Sequence, residues 1–208
     1  MNDSQKFVPL LKSAFDQFFN APVEAWEEFA RYCQVVNFKK DDIIKPENYT
    51  EQYFSFIIKG SVGVFLWEGN KFVCLDFAFD HQFCSDYMSL LTKQATPLQV
   101  VALEDCEMLR MTADSYDYLT RQTVPITTNK NELFYVQPDG MALRLVAAEM
   151  SFVGKQQQQI ELLTKSAKER YEILLQQFPD IQNRIAQNHI ASYLGITPQS
   201  LSRIRRKK

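Results

Sequence analysis

A chain of 208 residues with 46% hydrophobic and 23% charged side chains has enough apolar mass to bury a core, as one large domain or two small ones. No apolar run approaches the roughly 18–20 residues that a membrane span needs, and the amphipathic start does not read as a secretory leader, which predicts a soluble, cytoplasmic protein with no membrane partner. The net charge of −2 conceals an asymmetry: residues 181–208 hold six basic side chains and no acid, leaving 17 basic against 25 acidic in residues 1–180. An acidic body with a basic end is the footprint of a polyanion-binding segment.

In chain order, Phe7, Leu10, Leu11, Ala14, Phe15 and Phe18 recur at helical spacing and predict an amphipathic helix over about residues 4–19. Pro22 suits the first turn of a second helix, with Val23, Trp26, Phe29 and Ala30 on its buried side. Short runs rich in Phe, Tyr, Val and Ile follow, at 35–38, 43–44, 53–58, 62–67, 72–79, 98–103 and 107–111. Their spacing predicts a small sandwich or closed barrel. Lys59-Gly60-Ser61 and Glu68-Gly69-Asn70 are expected to turn neighbouring strands into antiparallel hairpins. Residues 114–122 read as a short helix.

A long helix is expected from near Pro138 to about Thr164. Met141, Leu145, Ala148 and Phe152 fall at 4-3-4 spacing on it, the seam of a coiled coil that a second copy of the chain covers most simply. Gly154 is expected to interrupt this helix, and residues 156–159, all glutamine, to face water. Ser166-Ala167-Lys168-Glu169 has the form of a capping box for the next helix, whose core face is Tyr171, Leu174, Leu175 and Phe178. Domain limits follow: a strand-rich body with N-terminal helices over 1–137, a dimer helix over 138–165 and a C-terminal helical unit over 166–208, with Gly154 and residues 164–166 as candidate hinges.

The most specific pattern is C-terminal. Ile185, Ile190, Ala191 and Leu194 predict a short apolar helix, Gly195 a C-cap with positive φ, and Ile196 a plug in the turn. Thr197 and Pro198 suit the start of a second helix, on which Leu201 and Ile204 point inward. That leaves Thr197, Pro198, Gln199, Ser200, Ser202, Arg203, Arg205, Arg206 and Lys207 as candidate DNA-binding residues. Gln reads adenine and Arg reads guanine bidentately in the major groove, hydroxyls suit phosphates, and the cationic end adds salt-sensitive affinity.

Four widely spaced cysteines (Cys33, Cys74, Cys84, Cys106) and two histidines (His81, His189) give neither C-x-x-C spacing nor a ligand cluster. The expectation is therefore no metal, no cofactor and no catalytic residue: a binding protein rather than an enzyme.

The stretch IASYLGITPQSLSRIRRK, residues 190–207, resembles the recognition motif of the cyclic-AMP receptor protein/fumarate-nitrate regulator (Crp/Fnr) family in a form typical of Bacteroidetes. YFSFIIKGSV (53–62), ALEDCE (102–107) and SAKERY (166–171) resemble that family's barrel hairpin, its strand near the effector pocket and the helix after its dimer helix. The resemblance implies an α+β protein: an N-terminal double-stranded β-helix barrel (cupin-like, cyclic-nucleotide-binding-domain-like), a long dimerisation helix and a C-terminal helix-turn-helix. It implies a homodimeric transcription regulator whose partners are double-stranded DNA, a second copy, a small-molecule effector if one binds, and RNA polymerase if it activates. The alternative is a ligand-sensing module that acts through a protein partner, its helix-turn-helix degenerate.

Two departures from the family pattern modify this. The chain ends at Lys208, so the wing after the recognition helix is expected to be shortened or missing. Where nucleotide binders of the family carry Gly-Glu and Arg-Ser/Thr pairs, this sequence reads Phe83-Cys84-Ser85-Asp86 and Ala95-Thr96-Pro97-Leu98, with no arginine between Arg31 and Arg110. A buried cyclic phosphate needs a charged donor fork, and Lys93, on an expected loop, is the cation nearby. Cyclic AMP is therefore not expected to bind tightly, and the effector-pocket candidates are Phe83, Ser85, Asp86, Thr96 and Leu98. Phe77, Phe79, Phe83 and Tyr87 either line an apolar pocket or fill the barrel. Cys74 and His81 read as packing residues, and the lone Cys33 does not make the family's iron–sulfur cluster.

Overall fold

The computed structural model describes residues 3–16, 18, 20–68, 71–121, 124–127, 133–136 and 139–206, with the backbone alone at 68, 71, 124–127, 133–136 and 139–140. The expected element ends at Phe19, Gln122 and Pro138, the Gly69-Asn70 turn, and Lys207 and Lys208 lie outside the described residues.

Two four-stranded antiparallel sheets form a sandwich. The strands are β1 (Cys33–Phe38), β2 (Ile43–Lys45), β3 (Tyr53–Lys59), β4 (Val62–Glu68), β5 (Lys71–Ala78), β6 (Phe83–Cys84), β7 (Leu98–Ala102) and β8 (Cys106–Thr112). Their order is β1-β8-β3-β6 in one sheet and β2-β7-β4-β5 in the other. Ile57, Val62, Cys84, Val100, Ala102, Cys106 and Met108 fill the space between the sheets. A separate hairpin pairs β9 (Val124–Thr127) with β10 (Leu133–Val136).

The β4–β5 hairpin is as expected, but β3 and β4 do not pair. Gly60, at φ +117°, turns the chain from one sheet to the other. A Cβ at Gly60 would sit 2.5 Å from the Cys106 sulfur, so the crossing needs glycine for both conformation and space. Strand β3 is buried on both faces, which is why Tyr53 to Ile58 reads as a continuous apolar run instead of an alternating one.

Helices cover each outer face. A 3-10 turn (Asp3–Phe7) leads into α1 (Val8–Phe15), not one continuous helix. Pro9 lacks an N–H, so it is accommodated only in the first turn, and the α-helix begins there. With α2 (Val23–Arg31) and α4 (Ala113–Arg121), α1 covers β1, β8 and β3. Phe15, Trp26, Phe29, Phe54, Phe56 and Tyr116 form a linked aromatic layer there, each roughly worth 1.5–3 kcal/mol when fully buried. Val23, expected on the buried side, is exposed, because Pro22 is the N-cap and the helix starts one residue later. Helix α3 (Tyr87–Thr92) and strand β6 carry too short a pattern to show in sequence.

Helix α5 (Asp139–Thr164) runs unbroken through Gly154, where an added Cβ would meet nothing within 4 Å; the glycine weakens the helix without ending it. After it come α6 (Ala167–Gln177), α7 (Ile181–Arg184), α8 (Gln187–Tyr193) and α9 (Pro198–Arg206). The Ser166–Glu169 capping box forms in both directions. Ile185, expected inside a helix, is the extended C-cap of α7. No helix among the described residues is long and apolar enough to cross a membrane.

Candidate nucleic-acid interface and barrel cassette

Helices α8 and α9 are held as a pair by apolar side chains. Leu201 on α9 is fully buried in one cluster with Ile190, Ala191 and Leu194 of α8 and with Tyr171 and Leu174 of α6. Gly195 takes φ +66°, as expected, and the N–H of Ile196 donates to the Ala191 carbonyl to close the turn. Thr197 Oγ1 accepts from the Ser200 N–H at 3.2 Å and lies 3.0 Å from Ser200 Oγ, so these hydroxyls cap the helix. Arg170 braces the turn from α6 by donating to the Leu194 carbonyl at 2.7 Å.

This packing leaves one face of α9 open. Thr197, Pro198, Gln199, Arg203, Arg205 and Arg206 are exposed, and Ser200 and Ser202 are half-buried. Among the described residues, Arg203, Arg205 and Arg206 make no hydrogen bond or ion pair. The surface is a row of free guanidinium groups beside an amide and small hydroxyls.

Arg184 is different. Counted from sequence with the cationic end, it is spent on the sandwich. Its guanidinium donates to both Glu104 oxygens at 2.7–3.3 Å, to Asp80 Oδ2 at 2.5 Å and to the Gly60 carbonyl at 2.9 Å, and lies over the Phe79 ring. Strand β5 is the edge of its sheet, and its free backbone groups are met from the C-terminal helices. Ser192 Oγ accepts from the Cys74 N–H and donates to the Phe72 carbonyl, while Gln158 on α5 donates to the Leu75 carbonyl. Gln158 therefore does not face water as expected. Phe77 packs on Tyr193 and Phe79 on Phe178, so both aromatics bond the sandwich to the C-terminal helices and neither fills its interior.

His189 of α8 lies edge-on to Phe65 of β4, ring centroids 5.0 Å apart. Burial pushes its pKa below 6.5, with Asp41 opposing and Lys40 assisting. A released histidine protonates first, so its contribution to docking is complete above about pH 6.5 and is lost as pH falls. Amide protection of α8 should decline between about pH 7.5 and 5.5, and His189→Phe should flatten that decline. An unchanged slope in the variant would assign the pH dependence elsewhere.

The second site lies where the effector-pocket candidates meet. Asp86 N-caps α3 through the Ser89 N–H, 3.1 Å away. Its other carboxylate oxygen accepts from the Thr96 hydroxyl and lies 3.0 Å from Lys45 Nζ. Lys45 also donates to Thr96 Oγ1 at 3.0 Å and to the Leu98 carbonyl at 2.7 Å, which uses all three ammonium protons. Both members of the pair are buried, with side chains 3% and 0% exposed. Asp86 and Thr96 are thus brought together, Leu98 contributes its carbonyl, and Ser85 Oγ is held by the Ser55 N–H. Phe83 points the other way, stacking on Phe15 and packing at a tilt on Phe54 beneath α1.

Lys45 and Glu51, with no motif around them, were not legible in the sequence. Glu51 accepts from the backbone N–H groups of Tyr53 and Asp86, and burial raises its pKa despite those bonds. Lys93, the expected cation, instead pairs with Asp117 at 2.9 Å. The four cysteines are all buried, and no group of three or more potential metal ligands occurs among the described residues.

Residues 35–123 match the family model of the cyclic nucleotide-binding domain. No curated protein matches the chain. Solved structures do. FixK2 from Bradyrhizobium japonicum has a TM-score of 0.63 at 16% identity, covering 84% of this chain and 83% of that one. The c-di-GMP-responsive global regulator CLP of Xanthomonas campestris has 0.63 at 12%, covering 89% and 91%. The catabolite activator protein of Thermus thermophilus has 0.54 at 18%, covering 93% and 85%. The antiparallel sandwich of this α+β chain has the fold of a cyclic nucleotide-binding domain.

Proposed function

We propose that the chain is a homodimeric, sequence-specific DNA-binding transcription regulator of the Crp/Fnr type, in the Bacteroidetes form its C-terminal motif resembles. The observation that carries this reading is the open face of α9. Three arginines with no hydrogen bond or ion pair among the described residues, together with Gln199 and Ser202, stand on a helix anchored from behind by Leu201, in a segment with no acid. Helices α8 and α9 are read as a helix-turn-helix, with α9 entering the major groove and Arg203 and Gln199 reading base edges.

Dimerisation is supported by α5. Leu145, Phe152 and Leu163 are 53%, 66% and 77% exposed, an apolar stripe that would be costly in water, while Met141 and Ala148 beside it are half-buried. A second α5 covers this stripe and sets two copies of α9 about 34 Å apart, one turn of B-DNA. Leu145→Asp with Phe152→Asp should give a monomer by light scattering with the sandwich still folded.

The saturated Lys45–Asp86–Thr96 cluster supports a cassette that does not take cyclic AMP. An internal carboxylate already occupies the N-terminus of α3, where an anion would otherwise be favoured.

The test is a fluorescence-anisotropy selection on random-core duplexes at two salt concentrations. A two-fold symmetric enriched site, with affinity falling steeply in salt, is the expected result. Arg203→Ala should cost about 1–3 kcal/mol on that site and relax one position per half-site. Unselective binding abolished by salt would overturn the reading and favour a sensor that acts through a protein partner.

A further inference from the structure

Strand parity places Arg110 on the interior side of its sheet, two and four residues from Met108 and Cys106, which fill the sandwich. It is half-buried and neighbours Ser55 in the ladder. Its Nε donates to Ser55 Oγ at 3.3 Å, and among the described residues its two terminal nitrogens have no hydrogen bond or ion pair. Aromatic rings flank the guanidinium, Tyr53 at 3.9 Å from ring centroid and Phe38 at 5.3 Å. Its two terminal nitrogens are therefore the donors left for a partner.

A guanidinium inside a sandwich ordinarily has a carboxylate on that edge. Glu51 is the acid nearby, and both its oxygens are committed to backbone N–H groups. The facing sheet supplies an aliphatic wall toward the mouth of the sandwich. Val64 pairs with Val100 and Leu66 with Leu98 on the inner side of the second sheet, yet Val64, Leu66 and Leu98 are only half-buried.

We propose that this mouth is a binding site for an apolar monocarboxylate, anchored fork-to-fork by Arg110. Geometry and charge both select the class. The flanked guanidinium presents a planar pair of donors, which matches a carboxylate, and the half-buried aliphatic wall takes a hydrocarbon body. Lys45 is fully engaged with Asp86 and Glu51 stands near Arg110, so the site carries little net positive charge and favours a singly charged ligand over a phosphate dianion. The site is distinct in anchor from the closed cassette at Asp86, and it stands whether or not α9 binds DNA.

The experiment titrates the full-length, isotopically labelled protein, without DNA, with benzoate, neutral benzamide, inorganic phosphate and cyclic AMP. The expected result is saturable benzoate shifts at the Arg110 Nε–H resonance and at the Tyr53 and Ser55 amides. Benzamide should bind at least about tenfold more weakly, because only the carboxylate completes the fork. Arg110→Gln should weaken benzoate at least about tenfold with the unfolding transition retained. The wild-type side-chain resonance decides the matter if that variant does not fold. Equal affinity for benzamide, preference for phosphate or cyclic AMP, or no saturable shift with benzoate would each overturn the assignment.

Discussion

Lys45→Met is expected to destabilise the sandwich by about 3–5 kcal/mol, because it leaves the Asp86 carboxylate buried with no cation. The lysine side chain is 3% exposed and its three donors go to Asp86, Thr96 and the Leu98 carbonyl. Methionine fills the same volume and satisfies none of these acceptors. Adding Asp86→Asn to Lys45→Met should recover part of the loss, since an asparagine side chain still accepts from the Ser89 N–H to cap α3 and no net charge remains inside. Urea unfolding of the two variants at neutral pH checks this. A loss under about 1 kcal/mol in Lys45→Met would mean that water reaches Asp86 and that the cassette is not closed.

Arg184→Ala is expected to release the C-terminal helices from the sandwich. The arginine is the node at which α7 meets Gly60, Asp80 and Glu104, and its loss strands two carboxylates. All three side chains keep about a quarter to a third of their surface in water, so solvent screening holds the cost to about 1–2 kcal/mol. That is enough to raise the open population roughly five- to thirtyfold. Hydrogen exchange should therefore quicken across α7 and α8 and along β5, whose Cys74 N–H is protected by Ser192, and leave β3 and β8 unchanged. Added salt should mimic the variant. If exchange in β5 stays at the wild-type rate, the apolar contacts of Phe77 and Phe79 hold the docking by themselves.

The Asp80 end of this node also responds to acid. Burial alone would raise the Asp80 pKa, but the Gly60 N–H and the Arg184 guanidinium bring it below its ordinary value. Its contribution is therefore complete above the pKa of the unfolded chain, about 3.9, and is lost as pH falls through that range. The His189 contribution disappears at higher pH, so two successive losses of docking separate the two groups.

Much of the architecture is readable from local pattern. Seven strands show as apolar runs broken by turn residues. The capping box at Ser166 and the positive φ at Gly195 follow from chemistry within four residues. The open face of α9 follows from the spacing of Leu201 and Ile204. Local signals fail where a distant partner decides the role of a residue. Gly60 reads as a hairpin turn until the sheets assign β3 and β4 to different layers. Arg184 reads as part of a polyanion-binding cluster until Asp80 and Glu104 claim it from about 100 and 80 residues away in the chain.

The division into an acidic, strand-rich body and a basic helical end is written along the chain, because period, capping and charge balance are properties of sequence neighbours. Which polar groups are already satisfied emerges from packing between distant segments. That packing closed Lys45 on Asp86, tied Arg184 to the sandwich, and left Arg110, Arg203, Arg205 and Arg206 with unpaired nitrogens among the described residues. A cation's availability to a ligand depends on what stands within a few ångströms of it in space, and no pattern along the chain records that distance.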